Sequence, residues 1–323
     1  MKALSLFSGG LDSILSTKLI QHQGIDVEGV CFISPFFTAE RGIKAARDIN
    51  IHLHIMNISK ELLILIKSPT YGFGKGANPC IDCHILMIKK AGSLMKKIGA
   101  SFLITGEVLG ERPKSQNRWA LSIIGERSGF GDYLLRPLTA KNLPPTLPER
   151  KKWVEREKLL GIKGRGRRIQ LELAKKLNIR NFPSPSGGCL LTDPVFSRRI
   201  KDLLARGKLN FNEVELLKIG RHLRLESRTK LIVGRNEREN KKLLQLATPG
   251  DFCLRAADFP GPIGLLRGEE DEEIFRIAAS IIGRYSDAPP REIKIEYHKL
   301  PEGEKRYLLV NSISDEEIEK LRI

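Results

Sequence analysis

Short apolar runs alternate with amphipathic stretches through the first third of this 323-residue chain, and that alternation constrains its fold more than any other feature. "KALSLF" reads as a buried strand, after which Leu11, Ile14, Leu15 and Leu19 recur at helical spacing. "VEGVCFIS" gives a second strand, "AERGIKAARDIN" a helix and "HLHIMNI" a third strand. After a break at "SPTYGFGKGANP", Met87, Ala91, Leu94, Met95 and Ile98 form one helical stripe, and "SFLITG" returns as a buried strand. Strands alternating with helices predict an α/β fold, a parallel sheet with helices on both faces. Ligands of such sheets bind beyond the carboxyl ends of the strands. "SGGLDS", "FIS" and "TGEVLGE" fall there. Beyond about residue 208 the texture changes to short strands ("TKLIVGR", "GDFCL", "GPIGLLRG", "EIKIEYHKL", "KRYLLVNS") and two helices ("ERENKKLLQLA", "DEEIFRIAASIIGRY"). The expectation is a first domain over 1–206 and a smaller α+β domain over 207–323.

"SGGLDS" has the glycines of a phosphate loop without the lysine of kinase-type nucleotide loops. Gly9 and Gly10 let backbone approach phosphate oxygens, and a helix starting near Leu11 points its first N–H groups at them. Ser8 and Ser13 add hydroxyl donors. Asp12 repels a phosphate unless a divalent cation lies between, so it fits as a Mg²⁺ ligand. The bland alternative is a glycine-rich helix cap with no ligand. A loop for pyrophosphate plus metal suits attack on an α-phosphate with pyrophosphate leaving.

The formal net charge is +17, and its location matters more than its size. Residues 141–234 carry 23 Lys and Arg against 9 Asp and Glu, whereas residues 235–323 carry 15 against 18. A basic stripe marks a polyanion site, and the glycines of "GIKGRGRR" expose backbone N–H groups among the cations. Arg165, Arg167 and Arg168 are the expected phosphate contacts. A solvated, lysine-rich helix face is the alternative. No apolar run approaches a membrane span and no signal-like segment is seen, so a cytoplasmic protein with no membrane partner is expected.

At these residues the chain resembles the PP-loop ATP pyrophosphatase superfamily, which adenylates a carbonyl oxygen and releases pyrophosphate. "ITGEVLGERPKSQ" (Ile104–Gln116) and "LLRPL" (Leu134–Leu138) are similar to segments of tRNA 4-thiouridine synthetases. "NPCIDCH" (Asn78–His84) and "GGCLLTD" (Gly187–Asp193) resemble the cysteine arrangement of tRNA uridine sulfurtransferases. The resemblance covers roughly residues 1–206 and implies a PP-loop, adenine nucleotide alpha hydrolase-like sheet that uses ATP and Mg²⁺. It implies that Ser8, Gly9, Gly10, Asp12 and Ser13 hold pyrophosphate and metal. Thr105 and Gly106 would line the nucleotide, with Lys114, Ser115 and Gln116 near the phosphates. Within this sequence neither the RNA-capture domain usual in 4-thiouridine synthetases nor a rhodanese-like extension is seen, so substrate position does not carry over. "KIGRHLRL" with "TKLIVGRNEREN" resembles an RNA-binding module related to one in ribosome-quality-control factors. That implies phosphate contacts from Arg221, His222, Arg224, Arg228, Lys230 and Arg235. A folded spacer or a dimerisation domain is the alternative.

There are five cysteines, an odd number without an export signal, which argues against a disulfide framework. Cys31 and Cys253 sit in apolar strands and read as core residues. Cys80 and Cys83 precede a helix whose N-terminus favours thiolates. "CIDCH" satisfies the covalent haem pattern, but export and an axial-ligand arrangement are both missing. A structural zinc site would recruit His84 or Cys189. A thiol relay would pass persulfide sulfur from one cysteine to another. The resemblance implies a fourth reading, a 4Fe-4S cluster on Cys80, Cys83 and Cys189. Three thiolates leave one iron open to bind hydrosulfide. Gly187 and Gly188 would bring Cys189 close to the base, or form an ordinary turn. Asp12 and Cys189 are thus the expected catalytic pair of a tRNA uridine thiolase. The expected partners are tRNA and a sulfur donor, free sulfide or a persulfide-carrying protein, with a homodimer left open. A PP-loop amide ligase with structural zinc and a non-catalytic RNA-binding protein are the competing readings.

Overall fold

The apolar run at the N-terminus forms β1 (Lys2–Leu6), the central strand of a five-stranded sheet. The chain continues through α1 (Leu11–Gln21), β2 (Asp26–Ile33), α2 (Glu40–Asp48), β3 (Leu53–Asn57), α3 (Ser59–Lys67) and α4 (Cys80–Lys97). Then follow β4 (Phe102–Ile104), α5 (Arg118–Ser128), β5 (Leu134–Leu135), α6 (Leu147–Arg150) and α7 (Arg168–Lys176). The sheet order is β3-β2-β1-β4-β5, with every pair parallel. Strand order therefore reverses beside β1, and the crevice between the ends of β1 and β4 is a topological switch point. Ser5 is in register with Ile104, so the loops that follow the two strands leave side by side.

Alternation along β1 buries both faces, as a parallel sheet requires. Leu4 joins a cluster with Ile88, Ala91 and Met95 of α4 and Ile124 of α5, while Ala3 joins Ile20 of α1 and Phe102. The α4 stripe read from the sequence is thus the core-facing one. Periodicity leaves five elements unread: α3, α5, α6, α7 and the two-residue β5. Local capping defines α5, where Asn117 accepts from Ala120 N at 2.8 Å and Gly129 ends the helix at φ 74°.

The structure is a computed structural model that describes residues 1–183, 188–289 and 291–323, and it divides into two units, Met1–Asp193 and Pro194–Ile323. The second unit holds α8 (Pro194–Ala205), α9 (Phe211–Leu217), β6 (Arg221–Arg224), β7 (Lys230–Val233), α10 (Glu237–Leu246) and β8 (Phe252–Ala256). It ends with β9 (Gly264–Arg267), α11 (Glu272–Tyr285), β10 (Ile293–Lys299), β11 (Arg306–Val310) and α12 (Asp315–Leu321). Its six strands form an antiparallel sheet, β11-β10-β8-β9-β7-β6, covered by α11 through Phe275, Ala278 and Ile282. This unit begins ahead of the 206/207 boundary drawn from composition, because α8 is tied into it. Arg199 donates to Leu217 O at 2.8 Å and Gly220 O at 3.1 Å, and Asp202 pairs with Arg224. Among the described residues no helix is long and apolar enough to cross a membrane.

Candidate nucleotide and thiol site

The loop between β1 and α1 is held in shape by its own side chains. Ser8 Oγ accepts from Gly10 N at 3.3 Å, and Ser13 Oγ donates to Gly10 O at 2.7 Å. Gly9 has φ 75°, and a Cβ there would lie 2.3 Å from Arg41 O, so only glycine fits against α2. Gly10 caps α1 from an extended conformation with no side-chain hydrogen bond, which leaves the first N–H groups of the helix to an outside acceptor. Across the crevice, a Cβ on Gly106 would lie 2.6 Å from Asp12 C and Ser13 N. The loop after β4 is therefore pressed onto the N-terminus of α1.

Asp12 stands in that crevice with Oδ1 buried and without a hydrogen-bond partner. Burial pushes its carboxyl group up, against the opposing pull of the Arg167 and Arg112 guanidinium groups. Burial likewise raises Glu111, and the Asp12 charge adds to the effect, so the two carboxylates share one field. The buried amide oxygen of Gln116 is also unpartnered. An orphaned carboxylate oxygen, a second carboxylate and an amide oxygen are hard donors of the kind Mg²⁺ takes. The donor set fits that ion. Glu111 and Arg112 were missed by sequence reasoning, although they lie inside the quoted "TGEVLGERPKSQ" segment.

Glu107 organises the floor between this loop and the cysteines. It accepts from Arg136 Nε at 2.8 Å and Thr105 Oγ1 at 3.0 Å, and its Oε1 lies 2.9 Å from His84 Nδ1. Burial alone would raise its pKa, but Arg136 and His84 hold it well below the usual carboxylate range. Thr105 is thus occupied by Glu107, while Ser115 and Gln116 are buried and Lys114 is exposed.

Cys80 and Cys83 open α4, one turn of helix apart. Asp82 between them accepts from Thr70 N and Tyr71 N, both at 3.1 Å, and so fixes the loop that leads to Gly74. A Cβ on Gly74 would lie 2.9 Å from Cys80 Sγ and 3.2 Å from Lys114 Cγ, which puts the Lys114 stem on the thiol side of the site. Ala77 N donates to Leu191 O at 3.0 Å, and Leu190 N to Phe36 O at 3.0 Å. These bonds carry the Cys189 segment to the Cys80 loop across a long sequence separation. All five cysteines are free thiols. The expected thiolate stabilisation at the helix N-terminus is outweighed: burial, then Cys189 and Cys80, push the Cys83 thiol up, and burial raises Cys80 and takes Cys189 up to about 11. Such thiols ionise when a metal supplies the positive charge. Among the described residues, one trio of potential ligands has all its donor atoms within 4.8 Å, Glu28, His52 and His54, at the other end of β2 and β3. Cys80, Cys83 and Cys189 act on one another through their charges, so the three thiols form one group of soft donors. Cys31 (β2) and Cys253 (β8) are buried core residues. Gly187 lies outside the described residues, and Gly188 sits 3.8 Å, measured from an ideal Cβ, from Arg41 Nη1.

The basic residues divide. Arg165 and Arg168 are exposed, with Arg168 paired only to Glu172 on α7, whereas Arg167 is half-buried beside Asp12 and Glu111. In the second unit Arg224 is bound to Asp202, and Arg221 donates to Gly234 O at 3.3 Å and stacks 4.5 Å over Tyr285. Lys230 is buried against Glu213 at 2.6 Å, and His222 is fully buried with Nε2 against Leu216 O and Ile219 O. Lys230 and His222 are core groups and do not contact phosphate as expected. Arg228 is exposed and paired with Glu269, and Arg235 pairs with Glu239.

Comparison with known proteins finds a similar family within each unit. Residues 1–142 match the thiamine biosynthesis protein (ThiI) family, and residues 220–322 match the NFACT protein RNA binding domain. A probable tRNA sulfurtransferase of Lysinibacillus sphaericus is 27% identical over 150 residues, covering 44% of this chain and 35% of that protein. A tRNA-specific 2-thiouridylase of Sulfurimonas denitrificans is 32% identical over 120 residues, covering 33% of this chain and 35% of that protein. The chain thus spans about a third of the length of these two relatives. A solved 4-thiouridine synthetase–RNA complex with bound ATP aligns at a TM-score of 0.37 and 22% identity, over 67% of this chain and 51% of that one. The chain is thus similar to the ThiI family over residues 1–142 and to the NFACT RNA binding domain over residues 220–322.

Proposed function

We propose that this chain thiolates a uridine in tRNA at the expense of ATP. The observation that carries the reading is the meeting of two unlike half-sites at one switch point. The phosphate loop with its orphaned Asp12 oxygen lies on one side, and the Cys80, Cys83 and Cys189 thiols lie on the other, with Glu107 and Lys114 between. An amide ligase has no use for the second half-site, and a passive RNA-binding module has no use for the first.

The N–H groups of the first turn of α1, in the loop that the Ser8 and Ser13 hydroxyls hold in shape, bind the triphosphate and align the α-phosphorus with the uridine carbonyl oxygen. The oxygen–phosphorus bond forms, the bond to pyrophosphate breaks, and the N3 proton of the base is released. Asp12 would hold a Mg²⁺ ion, which would supply charge neutralisation for the departing pyrophosphate. Hydrosulfide then attacks the activated carbon, and AMP leaves with the former carbonyl oxygen; a persulfide attacks in the same way, after which a second cysteine thiolate takes its inner sulfur into a disulfide and frees the sulfur on the base. A 4Fe-4S cluster would be held by Cys80, Cys83 and Cys189 and would supply an iron site able to bind the attacking sulfur. Exposed Arg165 and Arg168 and the second unit bind the RNA backbone.

The test is anaerobic purification followed by iron and sulfide analysis and a thionucleoside assay on tRNA. A brown protein whose colour and product are both lost in the Cys80→Ala, Cys83→Ala and Cys189→Ala variants is expected. Colourless wild type with stoichiometric zinc would refute the cluster, as would metal-free protein with a Cys189 disulfide after turnover. Full thiolation by Cys189→Ala would refute the three-cysteine site.

A further inference from the structure

The basic "GRGRR" segment does not act as one patch. Helix α7 packs against α1, with Leu173 and Ala174 on Leu11 and Leu15, and this contact brings the first turn of α7 to the phosphate loop. Gln170 on that turn is 0% exposed and lies against the Asp12 carboxyl group, yet neither its amide nitrogen nor its oxygen completes a well-formed hydrogen bond to a protein group. A buried side-chain amide left without well-formed hydrogen bonds costs on the order of 1–3 kcal/mol, and a ligand that completes them recovers that cost. Arg167, at the N-cap of α7, has its buried Nε unpartnered as well. Both residues face Asp12, whose own Oδ1 is orphaned. Three unsatisfied polar side chains from two helices thus surround one space. Arg165 and Arg168 point to solvent instead.

We infer that the N-terminus of α7 is the second wall of the pyrophosphate site, with Arg167 and Gln170 binding the β- and γ-phosphates of ATP opposite the phosphate loop. The inference rests on the ATP site proposed above and assigns it two residues that the loop does not contain. The chemistry is consistent on each side. Arg167 gives a charge-assisted donor pair to phosphate oxygens, the Gln170 nitrogen donates to the same group, and its oxygen faces the cation held by Asp12. AMP lacks those two phosphates, so its release after sulfur transfer does not depend on this wall.

The experiment measures binding of ATP, pyrophosphate and AMP to the full chain with Mg²⁺ by calorimetry, and binding of tRNA by filter retention. Arg167→Ala should weaken ATP and pyrophosphate roughly ten- to hundredfold and leave AMP and tRNA within about twofold. Gln170→Glu keeps the shape and puts a carboxylate where a donor stood, and it should weaken pyrophosphate similarly. Lys175→Ala, an equal charge loss at the exposed far end of α7, should change none of the three nucleotide affinities. Thermal melting by circular dichroism confirms that each variant is folded, and the Arg167 variant stands alone if Gln170→Glu does not fold. Wild-type pyrophosphate affinity in folded Arg167→Ala overturns the inference, as does a loss confined to tRNA. Absence of ATP binding in the wild type overturns the parent reading instead.

Discussion

Two glycines of the site are predicted to fail in opposite ways when given one methyl group. At Gly106 a Cβ would stand 2.6 Å from Asp12 C and Ser13 N and 2.8 Å from Asp12 O, all backbone atoms that cannot rotate aside. Restoring ordinary contact requires α1 and the loop after β4 to separate by roughly 0.8 Å, and overpacking of this kind costs about 1–3 kcal/mol. Gly106→Ala should therefore lower the melting temperature of the first unit by roughly 2–12 °C. A displacement near 1 Å at a reacting centre also costs on the order of 10²-fold in rate. At Gly10 a Cβ meets only Ser8 Oγ at 3.4 Å, and φ −76° with ψ 156° suits alanine. Gly10→Ala should melt within about 1 °C of wild type or slightly above, since alanine restricts the unfolded chain. It should nevertheless lose ATP affinity, because its methyl group enters the space offered to phosphate. The assays are differential scanning calorimetry and equilibrium binding of ATP. Wild-type ATP affinity in Gly10→Ala, or an unchanged melting temperature in Gly106→Ala, would refute the assignment of one glycine to the ligand and the other to the fold.

Asp12→Ala should abolish ATP-to-AMP conversion in the presence of tRNA while leaving tRNA affinity intact, as read by thin-layer chromatography and filter binding. Glu107 ionises more readily in the fold than in the unfolded chain, so its contribution is complete above about pH 4.5 and fades as pH falls toward its depressed folded pKa. The stability advantage of wild type over Glu107→Gln, followed by urea unfolding, should therefore be constant at neutral pH and shrink below that point. Reversing Arg165 and Arg168 to glutamate should weaken tRNA binding and flatten its salt dependence by about one unit of slope per lost phosphate contact. An unchanged slope would make them a solvating surface.

Local sequence determined the frame. The strand–loop–helix at "KALSLFSGGLDS", the α4 stripe and the short-strand texture beyond residue 208 are written in periods of 2.0 and 3.6, which depend only on near neighbours. The glycines of the phosphate loop and the core placement of Cys31 and Cys253 were legible for the same reason. What surrounds the loop was not. Gln170 and Arg167 reach Asp12 only because Leu173 and Ala174 dock on α1, and Glu107 is aimed by Arg136 from the far side of α5. Cys189 meets Cys80 through backbone bonds to Ala77 and Phe36. Charge misled where burial intervened, since Lys230 and His222 read as cations but are core groups, paired with Glu213 and with backbone carbonyls. Residue type and spacing fix what a segment can donate, whereas which donor is left without a partner depends on contacts between distant segments, and those exist only once the sheet has closed its helices around it.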